Sequence, residues 1–125
     1  MSIPAAEMRA PTYFVLASLL DGPLHGYAII KRAEELSGGR VRMATGTLYT
    51  ALDRLAAEGY IRPVSEEIVN GRARRSYGLT GPGTAALHAE ADRMAAAARL
   101  VTSRAQQRPA ARPGRAAGLE GVSPA

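Results

Sequence analysis

Residues 45–80 have the sequence TGTLYTALDRLAAEGYIRPVSEEIVNGRARRSYGLT, in which a helical pattern gives way to a hairpin pattern. Leu48, Leu52 and Leu55 recur at steps of four and three residues, which predicts a helix with one apolar face. Thr45 is predicted to be its N-cap, because a threonine hydroxyl can accept a hydrogen bond from a backbone N–H that the first turn leaves without a partner.

The second half of this stretch predicts a β-hairpin. Asn70-Gly71 lies between two extended runs, and this dipeptide favours a type I′ turn, in which both central residues take a positive φ. Pro63 indicates an edge position or a late start for the first strand, since proline has no N–H to donate. A two-residue loop predicts three cross-strand pairs: Ile68 with Ala73, Glu66 with Arg75, and Val64 with Tyr77.

Two shorter helices are predicted before residue 45. The first begins near Pro11, which the first turn of a helix tolerates, and Asp21-Gly22-Pro23 ends it. The second runs from about Leu24 to Leu36 and is closed by glycines. Three helices followed by a hairpin have the order of a winged helix-turn-helix. The fold class predicted is therefore mainly α with a two-stranded β-wing.

A fourth helix, predicted over roughly 84–107, has apolar residues at alternating steps of four and three, as in a coiled coil. We interpret it as a dimerisation helix with a seam formed by Leu87, Ala91, Met94, Ala98 and Val101. The predicted organisation is an N-terminal arm over 1–11, the winged helix over 12–83, this helix, and a disordered basic tail over 108–125.

Composition narrows the class of protein. The 125 residues carry a net charge of +5, and every basic residue except Lys31 is arginine, which suits phosphate and guanine edges. Cysteine is absent, which excludes disulfides and thiolate metal sites. His88 has no second histidine or cysteine at helical spacing, so we expect no metal and no cofactor. Without a signal core or a long apolar run, the chain is predicted to be cytoplasmic, with no membrane contact.

The predicted third helix and the hairpin suit DNA. Small and polar residues near the start of the helix allow its backbone to approach the major groove, and the hairpin tip carries arginines for phosphates or the minor groove. Arg54 is assigned to base edges, with a flanking phosphate as the alternative left open. The candidate DNA-binding residues are Tyr27, Thr45, Gly46, Thr47, Tyr49, Thr50, Arg54, Arg72, Arg74 and Arg75.

Several single residues keep two interpretations. His25 is predicted to cap the second helix or to contact phosphate. For Tyr27 and Tyr49 we expect a packed ring with the hydroxyl directed outward. Asp53 either accepts a hydrogen bond from cytosine or holds Arg54 in place.

The sequence supports functions other than DNA binding to different degrees. An enzyme is not predicted, because the sequence lacks a phosphate-binding glycine loop followed by Lys-Ser/Thr, a cysteine nucleophile and a convergent carboxylate pair. A winged helix used only for protein–protein contact, without sequence-specific DNA binding, remains open as an alternative. So does nonspecific binding to chromosome or RNA, which only the arginine-rich tail supports.

The chain also resembles the PadR family of regulators over roughly residues 12–83. The resemblance lies in Leu19-Leu20-Asp21-Gly22-Pro23-Leu24-His25-Gly26-Tyr27, in the helix from Thr45 to Leu55, in Glu58-Gly59-Tyr60-Ile61, and in the strand that ends Tyr77-Gly78-Leu79-Thr80. Thr50 departs from the family, which very often has proline there.

The resemblance implies a homodimeric repressor on a palindromic operator. It also implies a small hydrophobic or phenolic effector in some members, which makes such an effector a candidate partner here.

Overall fold

The computed structural model describes residues 8–107, so the predicted tail and most of the predicted N-terminal arm lie outside the described residues. Four helices and three strands follow one another along the chain. They are α1 (Ala10–Ser18), β1 (Leu24–His25), α2 (Gly26–Leu36), α3 (Thr45–Ala57), β2 (Ile61–Val69), β3 (Arg72–Leu79) and α4 (Gly81–Gln107). The predicted order of three helices, a hairpin and a fourth helix is confirmed.

The core forms where α1, α2 and α3 meet the base of the hairpin. The three leucines of the predicted α3 stripe are fully buried, which confirms the helical period. Around them pack Val15, Leu16, Leu19, Ile29, Ile61, Tyr77 and Leu87. Because these side chains come from every helix and from both long strands, the core fixes how α3 sits beside the hairpin.

The start of α3 differs from the prediction. Ala44, in an extended conformation, is the N-cap, and its carbonyl accepts the N–H of Leu48 at 2.9 Å. Thr45 is the first helical residue and makes no side-chain cap. The prediction of Thr45 as N-cap was therefore wrong.

The sheet has three strands in the order β1-β3-β2, one more than predicted. Leu24 pairs with Tyr77 and His25 with Ser76, so residues expected to begin the second helix instead extend the sheet. The helix then starts at Gly26, and His25 caps it by accepting the N–H of Ala28 on Nδ1 at 3.4 Å. The cap predicted for His25 is confirmed.

The hairpin turns where predicted, since Asn70 and Gly71 have φ values of 53° and 77°. Ile68 pairs with Ala73 and Glu66 with Arg75, also as predicted. The third predicted pair was wrong, because Tyr77 pairs with Pro63. The register shifts between Pro63 and Ser65, so Val64 has no paired residue on β3. The extra residue is a β-bulge, which bends the strand and shifts the register by one.

α4 begins at Gly81, three residues before the predicted start at Thr84. The Thr80 hydroxyl donates to the carbonyl of Gly59 at 2.6 Å and accepts the N–H of Gly83 at 3.0 Å. Gly83 is buried against the carbonyl of Tyr60, where any Cβ would collide with backbone. Gly81-Pro82-Gly83 therefore forms the first turn, which tolerates proline.

The chain divides into two compact units between Ala91 and Asp92. In the second unit, the described residues 92–106 are all exposed, Met94 and Val101 among them. Of the helices formed by residues 8–107, none combines the length and the apolarity that crossing a bilayer requires.

Candidate nucleic-acid interface

The outer face of α3 carries most of the predicted DNA-binding residues. Thr45, Gly46, Thr47, Thr50 and Arg54 are all exposed. A Cβ added to Gly46 would meet nothing within 4 Å, so this glycine serves no internal packing. The first two turns of α3 therefore expose mostly small side chains, which keeps this part of the helix narrow enough to enter the major groove.

Beside this face lies an open groove of about 550 Å³ between α2, α3 and the tip of the hairpin. Its walls are formed by His25, Gly26, Tyr27, Tyr49, Val69, Asn70, Arg72, Ala73 and Arg74. None of these lining residues is acidic, and two are arginines. The groove therefore favours an anion.

The two tyrosines of the groove pack differently from the prediction. Tyr27 is 67% exposed, because it lies two residues from the buried Ile29 and so on the opposite side of α2. Its ring contacts Lys31, whose Nζ is 5.8 Å from the centroid. Tyr49 is 42% exposed, and its hydroxyl end lies against Gly26 instead of pointing outward. The expected packed ring was wrong for Tyr27, and the expected outward hydroxyl was wrong for Tyr49.

The hairpin separates the three predicted arginines. Arg72 and Arg74 line the groove, whereas Arg75 alternates to the opposite face of β3. There Arg75 forms an ion pair with Glu66, with Nη2 and Oε2 3.9 Å apart. Glu67 lies directly across from Arg74. The sequence analysis paired Glu66 with Arg75 but still assigned Arg75 to DNA, and it did not consider Glu67.

Arg54 has a partner that the sequence analysis missed. Its Nη2 donates to the hydroxyl of Thr12 on α1 at 3.1 Å. Holding Arg54 in place was one of the two roles that the sequence analysis left open for Asp53, and the contact seen in the structure is with Thr12 instead. Because the two residues are 42 positions apart, no local pattern indicates this hydrogen bond.

The predicted dimer seam falls into two parts. Leu87 is 4% exposed and belongs to the core that α1, α2 and α3 form, and Ala91 is half-buried. Met94, Ala98 and Val101 are exposed. Leu100, which the sequence analysis left out of the seam, is an exposed apolar side chain next to Val101.

Comparison with known families identifies the chain. The sequence model of the Transcriptional regulator PadR-like family matches residues 15–89, more than half of the protein. The chain belongs to the PadR family. It is therefore a transcriptional regulator with a winged-helix fold, and the predicted resemblance is confirmed. PadR proteins are regulators and not enzymes, in agreement with the expectation from the sequence.

Two curated relatives align with this PadR protein. It is 40% identical to a transcriptional regulator of Mycobacterium tuberculosis over 82 residues, which are 65% of this chain and 72% of that protein. It is 47% identical over 81 residues, 65% of this chain, to an uncharacterized 37.1 kDa protein in a transposon of Streptomyces fradiae. The aligned region spans only 22% of the transposon protein.

Solved structures of PadR proteins share the fold. A PadR family transcription regulator from Clostridium difficile superposes with a TM-score of 0.63 at 21% identity, covering 78% of this chain and 99% of that one. Bacillus subtilis PadR in complex with operator DNA gives a TM-score of 0.57 at 22% identity, covering 89% of this chain and 56% of that one. Across the described part of our PadR protein, no three His, Cys, Asp or Glu side chains are grouped as a metal site would require.

Proposed function

We propose that this PadR protein binds duplex DNA sequence-specifically, as a homodimer on a palindromic operator, and represses the genes beside it. The observation that carries the proposal is the position of the acid-free groove, with Arg72 and Arg74 in its wall, beside the exposed face of α3. In Bacillus subtilis PadR, a protein of the same fold is in complex with operator DNA.

The two halves of this surface suit different parts of a duplex. The start of α3 presents Gly46, Thr47 and Thr50, which are small enough to let the helix lie deep in the major groove. Threonine offers a hydroxyl and a methyl group, both able to contact base edges. Arg72 and Arg74 would contact phosphate or the minor groove, where charge contributes affinity with little sequence information.

The homodimer is proposed from the second unit. Met94 and Val101 are seven residues apart, so they lie on one side of α4, with Ala98 between them. They are 46% and 67% exposed, which is unfavourable for large apolar side chains in water. Pairing with a second copy would cover them, and a symmetric dimer would suit a palindromic operator.

Repression is proposed because it requires only that the bound dimer occupies the promoter. The small hydrophobic or phenolic effector implied by the family resemblance stays a prediction.

A binding experiment tests the proposal. The full chain is titrated against a random-sequence duplex and against a duplex that it selects from a randomised library, over a range of salt. We expect binding to both, with the selected duplex preferred. Thr50→Ala should reduce that preference, whereas Thr102→Ala should not, since the Thr102 hydroxyl bonds to the Ala98 carbonyl of its own helix. No binding to either duplex would instead favour a protein–protein role.

A further inference from the structure

The hydrogen bond between Thr12 and Arg54 joins the first turn of α1 to the last turn of α3. Arg54 Nη2 lies 3.1 Å from Thr12 Oγ1, and both residues are at the molecular surface. An exposed arginine normally samples many rotamers, and a hydrogen bond to a neighbouring helix restricts that freedom. The guanidinium is therefore held in one direction before any partner arrives.

The hydrogen bond to Thr12 directs the Arg54 guanidinium to the side of α3 that is next to α1. Arg54 lies about 40° around the helix from Thr50 and one turn farther from the N-terminus. The first turns of a recognition helix are the part that reaches base edges. Arg54 lies farther along the helix, on the side next to α1. If α3 lies in the major groove, the phosphates at the edge of that groove would pass close to this position.

The charges around the contact also favour a phosphate. The first turn of α1 contains no acidic residue, and its N-cap residue Arg9 makes no side-chain cap. The Thr12 hydroxyl is neutral, so the positive charge of Arg54 is oriented without being neutralised, and the remaining N–H groups of the guanidinium stay available to an oxygen acceptor. Arg75 differs, because the Glu66 carboxylate lies 3.9 Å from its Nη2.

We infer that Thr12 is a positioning residue for DNA binding: its hydroxyl holds the Arg54 guanidinium toward a backbone phosphate. The inference rests on the proposed function. It assigns Arg54 to a contact that is independent of base sequence, and it gives Thr12 a role through Arg54 alone. Holding the side chain in place beforehand lowers the entropy lost on binding.

The test is a double-mutant cycle in the full chain, with the random and the selected duplex as probes. Thr12→Val removes the hydroxyl at nearly constant shape, and we expect affinity for both duplexes to fall by about 3- to 10-fold. Arg54→Ala should weaken both equally and lower the salt slope by about 1. In the Arg54→Ala background, Thr12→Val should have no further effect. Thr12→Ser, which keeps the hydroxyl, should bind like the wild type.

The outcomes separate this inference from the proposed function. If the wild type binds DNA but the two substitutions act additively, Thr12 stabilises α1 and does not position Arg54. If Arg54→Ala weakens only the selected duplex, Arg54 contacts bases and the inference fails. If the wild type binds neither duplex, the proposed function fails and this inference fails with it. NMR of the free protein checks the contact without DNA, since Thr12→Val should speed the exchange of the Arg54 guanidinium protons.

Discussion

The hydroxyl end of Tyr49 on α3 lies directly against Gly26, the first residue of α2. A Cβ on Gly26 would be 2.5 Å from the Tyr49 Oη and 2.9 Å from its Cζ, so only glycine leaves room for the ring. This contact sets the ring of Tyr49 into the wall of the groove and links the two helices of the helix-turn-helix.

Gly26→Ala is expected to displace Tyr49 without unfolding the protein. The ring is partly exposed and can swing outward, so we expect the free energy of unfolding to change by no more than about 1 kcal/mol. DNA affinity should fall, because the displaced ring obstructs the groove. In a Tyr49→Ala background the clash is gone, and Gly26→Ala should then leave DNA affinity unchanged. Titrations of the single and double variants measure this; an undiminished effect in that background would show that the ring is not the cause.

Arg72→Ala and Arg75→Ala form a matched pair, since each removes one positive charge from the same strand. Arg72 lines the acid-free groove, whereas Arg75 is paired with Glu66 on the opposite face. We expect Arg72→Ala to lower the salt slope of DNA binding by about 1 and Arg75→Ala to lower it much less. Equal slopes for the two variants would mean that net charge, and not the groove, determines affinity.

Met94→Glu is expected to dissociate the proposed dimer. A carboxylate buried in an apolar interface without a partner costs several kcal/mol, and a short seam has little else to offset that loss. Ala96→Glu adds the same charge about 200° around the helix and should leave the dimer intact. Sedimentation of both variants provides the comparison. A dimer that survives Met94→Glu would place the interface elsewhere, with α1 as the next candidate.

Thr80→Val removes two hydrogen bonds at the start of α4, one to the carbonyl of Gly59 and one from the N–H of Gly83. Loss of a helix cap costs about 1 kcal/mol, and up to about 2 kcal/mol, so the melting temperature should drop by several degrees. Thr102→Val is the control, since its exposed hydroxyl bonds only within its own helix. Equal melting temperatures for the two variants would show that Thr80 does not stabilise the junction.

Features that depend on near neighbours in sequence were predictable. The buried stripe of α3 follows from a 3.6-residue period, and the turn at Asn70-Gly71 follows from the two positive φ values that few other dipeptides tolerate. Two of the three cross-strand pairs then followed from the length of the turn. The third did not, because the register shifts between Pro63 and Ser65, and the turn length carries no signal of that shift.

The sequence by itself determined the order of the elements, the apolar face of α3 and the basic hairpin, because each depends on the residues of one short segment. Only the tertiary structure decided which polar groups meet. It brought β1 beside β3, seated Tyr49 on Gly26, and joined Arg54 to Thr12. These contacts join residues far apart in the chain, and their distances are set by the packing of the common core, which no single segment contains.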